Sequence, residues 1–334
     1  MHSPKLPSRL VLAFLLALLG PAALRAADPV SELASFSVFG KVDLAQLAKG
    51  EIKTANGAPM NTPRYLSAQS CFVIPQPPEK IIASMKRFDP TAHRELKVFL
   101  HSDLPASPSA SDFSKLKEPP DNNAVKALTA ATEKMSPQLQ ISRAEAQKFS
   151  AGQPVFGFWV DVLAGRAQSF VQGGASAEAP YDHASGGVQP KKEFSGLVRQ
   201  QGKLNGQFGS FLESTGLLDG KGSLKPELYW ELLEVEDEGV VTLGASYNRS
   251  APGGGAMLAD GLYYASGGYN VALTLYQLWP IEIGGRASTL VWRGDLVSSD
   301  TLADLHGIER LASESAMRKD ILKAATLFQR ENSR

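Results

Sequence analysis

The sequence predicts an α+β fold in which an antiparallel sheet packs on a long C-terminal helix, with a helical insertion at approximately residues 115–215. Three observations carry this. Residues 228–297 alternate apolar and polar side chains in short runs separated by tight-turn signals, the pattern of strands joined by hairpins. Residues 308–329 repeat apolar side chains at helical spacing. The middle of the chain is instead dominated by helix-forming segments. Helices and strands segregated along the chain favour an antiparallel sheet over the parallel sheet of an alternating βα pattern.

The N-terminus reads as a secretory signal. Lys5 and Arg9 precede an uncharged apolar run at residues 10–19, then Gly20-Pro21, and the segment closes on Ala23-Leu24-Arg25-Ala26. A run of about ten residues is roughly half of what a helix needs to cross a bilayer, so cleavage after Ala26 is expected, with no transmembrane anchor retained. Residues 27–334 then form a single exported domain, periplasmic or extracellular. A lipid anchor at the cut is not expected, because the only cysteine is Cys71. Loss of Lys5, Arg9 and Arg25 leaves 31 basic residues against 34 acidic, a net charge of −3. This near-neutral balance gives no electrostatic reason to expect a nucleic-acid partner. A single cysteine closes no internal disulfide, so about 308 residues must be stabilised by their core. Cys71, within Cys71-Phe72-Val73-Ile74, reads as a small buried hydrophobe rather than a nucleophile.

From the mature N-terminus, residues 42–50 predict a short helix, with Val42, Leu44, Leu47 and Ala48 near helical spacing and Gly50 as C-cap. Residues 64–74 predict a strand that Pro75, Pro77 and Pro78 stop, and Pro78 opens the next helix through Met85. From about Phe88 the chain is expected to be extended, most clearly at residues 95–101, before a Pro/Ser-rich loop at 105–111. Helices are predicted at 124–128, at 143–149 with Ser142 as N-cap, at 155–172 and at 194–212. Residues 173–190, rich in Gly, Ala and Ser, predict an exposed loop, in which Tyr181-Asp182-His183 lacks the third ligand a metal site requires.

Strands follow at 228–235 and 240–245, with the acidic Glu236-Asp237-Glu238-Gly239 as their turn. Tyr263-Tyr264 and residues 269–279 continue the sheet, with Val271, Leu273 and Leu275 on one face and Ala272, Thr274 and Tyr276 on the other. Gly284-Gly285 joins the last hairpin, 280–283 to 287–297, because two glycines supply the positive φ a tight turn needs. In the final helix Leu311, Ser315, Leu322 and Ala325 lie beside Met317, Ile321, Ala324 and Phe328 as a broad apolar stripe. Its opposite face carries Arg318, Lys319, Lys323 and Arg330.

The opening segment Phe72-Val73-Ile74-Pro75-Gln76-Pro77-Pro78-Glu79-Lys80-Ile81 and the closing segment at 269–328 resemble the two ends of the START-like, or helix-grip, superfamily. The resemblance covers about half of the mature chain and rests on element order; the helical stretch at 115–215 departs from the superfamily pattern. It implies a curved sheet wrapped on the last helix, with a cavity between them for a lipid or other apolar ligand. No catalytic residue set transfers with it. Leu273-Thr274-Leu275-Tyr276-Gln277-Leu278-Trp279-Pro280 and Leu290-Val291-Trp292-Arg293-Gly294-Asp295 also resemble segments of a group of uncharacterised exported bacterial proteins.

The sequence carries no nucleophile elbow, zinc-protease helix, paired C-x-x-C, P-loop or dinucleotide fingerprint, so no cofactor, metal or catalytic residue is assigned. Gly253-Gly254-Gly255 reads as a turn, and His93, His101 and His306 stand isolated. The candidate ligand-binding residues are Tyr229, Tyr263, Tyr264, Trp279 and Trp292 as aromatic walls, with Arg293 and Asp295, two apart on one strand face, as polar anchors. The competing reading makes these aromatics, with Trp230, plain core and the charged pair a strand-surface ion pair. Three function classes stay open: a carrier or sensor of an apolar molecule, an interaction protein with a filled core, and an unrecognised hydrolase or lyase. A filled core without a cavity would mark the interaction protein, and ionisable residues converging in a pocket with perturbed pKa values would mark the enzyme.

Overall fold

The computed structural model describes residues 28–184 and 186–333; the expected signal segment lies outside them. Eight strands, β1 (Lys53–Asn56), β2 (Tyr65–Ile74), β3 (Val98–Leu104), β4 (Glu227–Val235), β5 (Glu238–Ala251), β6 (Gly255–Ala265), β7 (Val271–Ile283) and β8 (Arg286–Ser298), form one open sheet. Its order is β1-β2-β8-β7-β6-β5-β4-β3, and every neighbouring pair is antiparallel. The late hairpins turn where the sequence places them. Glu236 and Asp237 both adopt positive φ, 50° and 66°, between β4 and β5, and Gly284 and Gly285 do the same at 58° and 76° between β7 and β8. Two successive left-handed residues match the twist of the strands they join.

The helices are α1 (Pro29–Phe36), α2 (Leu44–Leu47), α3 (Pro78–Met85), α4 (Asn123–Glu133), α5 (Arg143–Ala146), α6 (Val155–Gly173), α7 (Pro190–Gln200), α8 (Gly202–Leu212) and α9 (Gly307–Asn332). Local chemistry sets their starts. Asp28, Asp43 and Asn122 accept backbone N–H bonds as N-caps, Pro78 occupies the first turn of α3, and Ser142 with Glu145 forms a reciprocal capping box on α5.

Side chains alternate between the two faces of the sheet, and each face meets a different helical layer. On the first face Trp230, Leu243, Leu275, Trp279 and Trp292 share one core with α1, α4, α6, α7 and α8. The central helices are therefore a packed layer on the sheet. The second face carries a smaller apolar cluster of Phe72, Ile74, Leu278 and Val291 against Ile81 of α3 and Ala325 and Phe328 of α9. β2 is buried along its whole length because both layers cover it. Cys71 sits there, buried, and loss of solvent pushes its thiol up to about 12, where it is inert at neutral pH.

Several expectations are corrected. Residues 88–97 are not extended: two 3-10 turns, Pro90–Ala92 and Arg94–Leu96, and a left-handed Lys97 delay the strand to Val98. The loop after β3 runs into a 3-10 helix, Ala110–Lys117, which drives Phe113 and Leu116 into the core. The stretch after α6 is not an exposed loop, since a 3-10 turn at Gly174–Ala177 and the buried Ala175, Glu178 and Tyr181 dock it. The helix expected at 194–212 is two helices, broken where buried Gln201 leaves helical geometry and its amide donates to Ala58 O at 2.8 Å. β6 begins at Gly255, well before Tyr263.

The broad apolar stripe of α9 is also corrected. Ile308 is 86% and Leu311 64% exposed, and the helix buries only Ile321, Ala325, Leu327 and Asn332. Its first half is held by polar tethers instead: Arg310 donates to the carbonyls of Pro63 and Tyr65, and Asn56 Nδ2 donates to Glu314 Oε2 at 2.8 Å. Trp292→Ala, which empties a fully buried site between Phe36 and Phe208, is expected to cost about 3–5 kcal/mol. Leu311→Ala is expected to stay within about 0.5 kcal/mol of the parent. Paired urea denaturation curves check both values.

Candidate functional site

Strands β4 to β8 point a row of polar side chains out of the second face. Tyr229 on β4 lies opposite Gly244 on β5, and its ring crosses that glycine to reach β6. A Cβ at position 244 would stand 2.1 Å from the ring, so only glycine leaves the path open. The phenol then donates to Asp260 Oδ1 at 2.7 Å, and Ser246 donates its hydroxyl to the other carboxylate oxygen. Burial drives the Asp260 carboxyl above the ordinary carboxylate range, against the pull of these two hydrogen bonds.

The next two strands build the second half of the row. Arg293 and Asp295, two apart on β8, form a bidentate pair at 2.8 and 2.7 Å. Thr274, directly opposite Asp295 on β7, donates to the same carboxylate at 2.9 Å. The Arg293 guanidinium lies 5.6 Å from the ring centre of Tyr276, its partner across the ladder. At the far edge, His101 shares a 3.1 Å hydrogen bond with Glu231 and lies 5.6 Å from Tyr229. Burial opposes the imidazolium there, but the Glu231 hydrogen bond and charge outweigh it and raise the His101 pKa.

Above this row the second face is hollow. One cavity of about 330 Å³ lies beneath α3 and the end of α9, walled by Met85, Phe88, Leu258, Leu327 and Phe328 and floored by Asp260, Tyr276 and Arg293. A second, of about 580 Å³, runs beneath the middle of α9, between Met317 and Ile321 on the helix and Tyr269, Asp295 and Leu66 on the sheet side. Leu96, Thr274, Arg293 and Ala324 line both, so the ion pair sits where the two meet.

The candidate residues divide between the faces. Tyr229, Arg293 and Asp295 belong to the cavity row. Tyr263, Tyr264, Trp279 and Trp292 lie on the opposite face, inside the packed core. Tyr263 stacks on Phe170 at 3.8 Å, and the Arg166 guanidinium lies 4.2 Å from the ring centre of Tyr264. Trp279 donates to Glu32 at 2.9 Å and Trp292 to Gln69 at 3.1 Å. The aromatic walls expected around a ligand are thus structural. Asp260, Ser246, Tyr276 and Gly244 complete the site without having been singled out. Strand parity already placed Tyr276 beside Thr274, but the glycine- and alanine-rich start of β6 concealed Asp260.

Tyr181-Asp182-His183 is engaged piecewise. Tyr181 donates to Asn270 O, Asp182 accepts from the Arg143 N–H, and His183 bonds Met135 O. Among the described residues no group of acids, histidines and cysteine has the grouping of a metal site. A second charged cluster borders the first-face core, where buried Arg166 bonds Glu145 at 2.6 Å, Glu178 at 3.4 Å and Ala179 O at 3.0 Å. It ties the segment after α6 to the sheet.

No family model matches the chain, and no curated protein or solved structure matches it either.

Glu178 gives the core cluster a pH signature. Desolvation pushes its carboxyl up to about 8, beyond what its share of the Arg166 charge offsets, with Glu145 adding to the rise. The stabilisation tied to its protonated form is full below the ordinary carboxylate range and is lost as pH rises toward about 8. Glu178→Gln is therefore expected to gain on the parent steadily between about pH 5 and pH 8. Urea midpoints measured across that range check it; a difference independent of pH would contradict the assignment.

Proposed function

We propose that the chain is exported and binds a lipid or other apolar small molecule between its sheet and C-terminal helix, as a non-enzymatic carrier or sensor. The observation that carries this is the pair of adjoining cavities on the second face. At about 330 and about 580 Å³ they fall in the size range of small-molecule sites, and they combine apolar walls with a few fixed polar groups, as such sites do. The element order, with an antiparallel sheet and a last helix crossing one face of it, supports the helix-grip assignment, and the basic, apolar N-terminal segment supports export.

Two features weigh against the other classes. An interaction protein with a filled core has no use for a hollow between sheet and helix. A hydrolase or lyase is less well served, because neither cavity is lined by a histidine or the cysteine and the guanidinium of the row is already paired with Asp295. The carboxylates of the row suit positioning a ligand.

Native mass spectrometry of the protein purified from its host compartment, followed by organic extraction, tests the reading. A mature chain cut near Ala26 with a stoichiometric apolar guest is expected. Leu258→Trp, which fills the smaller cavity from its wall, is expected to lower uptake of added lipid at least about tenfold while the urea midpoint holds. An apo mass with no uptake of any lipid would overturn the proposal.

A further inference from the structure

Resting on the ligand-binding reading above, the charges of the cavity row decide which kind of head group it accepts. Arg293, the cation of the row, directs Nε and Nη2 into Asp295, so its charge is already matched. Asp260 has no such partner: neutral hydroxyls from Tyr229 and Ser246 are its hydrogen-bond donors, and no cationic side chain among the described residues forms an ion pair with it. A carboxylate taken out of water with only neutral donors is under-compensated, and burial accordingly disfavours its charged form.

An anionic head group entering here would set a third negative charge beside Asp260 and Asp295 around a single guanidinium. A neutral hydroxyl would add one more dipole to a carboxylate that already has two. An ammonium supplies both the missing charge and the donors, and the rings of Tyr276 and Phe88, which line the same cavity as Asp260, offer it aromatic faces. The wider surroundings agree in sign, since seven acidic residues line the two cavities against four basic ones, which draws cations toward the opening.

We propose that the natural ligand is a cationic amphiphile, an amine carried on an apolar body, whose ammonium pairs with Asp260 while its apolar part lies between α9 and the sheet.

Decylamine, decanol and decanoate share one tail and differ in head group, and their binding at neutral pH by titration calorimetry to the parent protein and to Asp260→Asn tests this. The parent is expected to bind decylamine about tenfold or more tightly than decanol, with decanoate weakest. Asp260→Asn is expected to lose that amine advantage, binding decylamine and decanol with affinities within about threefold of each other, and an unchanged circular dichroism spectrum and urea midpoint report that the variant is folded. Equal affinities for amine and alcohol, a preference for decanoate, or an amine preference unchanged in Asp260→Asn would overturn the head-group assignment and leave the cavity reading standing. Failure of all three to bind the parent would overturn both.

Discussion

Side chains on a pleated strand alternate between faces, and in this protein that constraint separates two kinds of interior. Even-numbered β4 residues Leu228, Trp230 and Leu232 enter the core shared with the central helices, while Tyr229 and Glu231 between them lie half-buried on the second face. The same division runs through β7 and β8, where Leu275 and Trp292 are packed and Tyr276 and Arg293 line the cavities. Rigidity on one face makes room on the other possible. Among the described residues the largest fully buried side chains, Trp159, Trp230 and Trp292, pack in the first-face core, so the sheet is anchored without a filled second core.

The second face stays open because of how α9 is attached. Its apolar anchors, Ile321, Ala325 and Leu327, lie in the second half, and Ala316 and Ala324 face the cavities with little volume to fill them. Elsewhere polar tethers hold the helix off the sheet: Arg310 on the carbonyls of Pro63 and Tyr65, and Gln329 on Val73 O at 3.0 Å. A helix fixed at both ends by hydrogen bonds to β2 and its approach, with small residues between, spans the sheet without collapsing onto it.

Much of this architecture is legible in the sequence. Pro78, Ser142, Gly284-Gly285 and the alternation through residues 271–276 each specify their element by local stereochemistry, and these held. What was not legible depends on distant partners. Gln201 breaks a helix because Ala58 waits for its amide, and the segment at 173–190 is drawn inward by Arg166. The site was half readable. Trp292 and Arg293 are adjacent in one strand and cannot share a face, so strand parity alone divides the candidate set. Tyr263 and Tyr264 break that rule and both enter the core, because a register shift opposite Leu243 and Gly244 leaves Tyr263 as the extra residue of a bulge in β6. The crossing of Tyr229 over Gly244 needed the pairing register, which no single strand contains.

Two of the charged clusters among the described residues differ in their surroundings, and their contrast explains why one is a site and the other a staple. Around Arg166 a single cation meets Glu145, Glu178 and two tyrosine rings, and every direction is occupied by protein. Polarity there fixes the docking of one segment. Around Asp260 and Arg293 the polar groups are ordered as well, but only on the sheet side; above them Met85, Phe88 and Phe328 enclose space rather than partners. A buried polar group left with one open direction in an apolar enclosure gains most from a ligand that brings the missing partner and an apolar body together. Room, more than charge, separates the two clusters. The protein provides that room by keeping its tryptophans on the other face of the sheet.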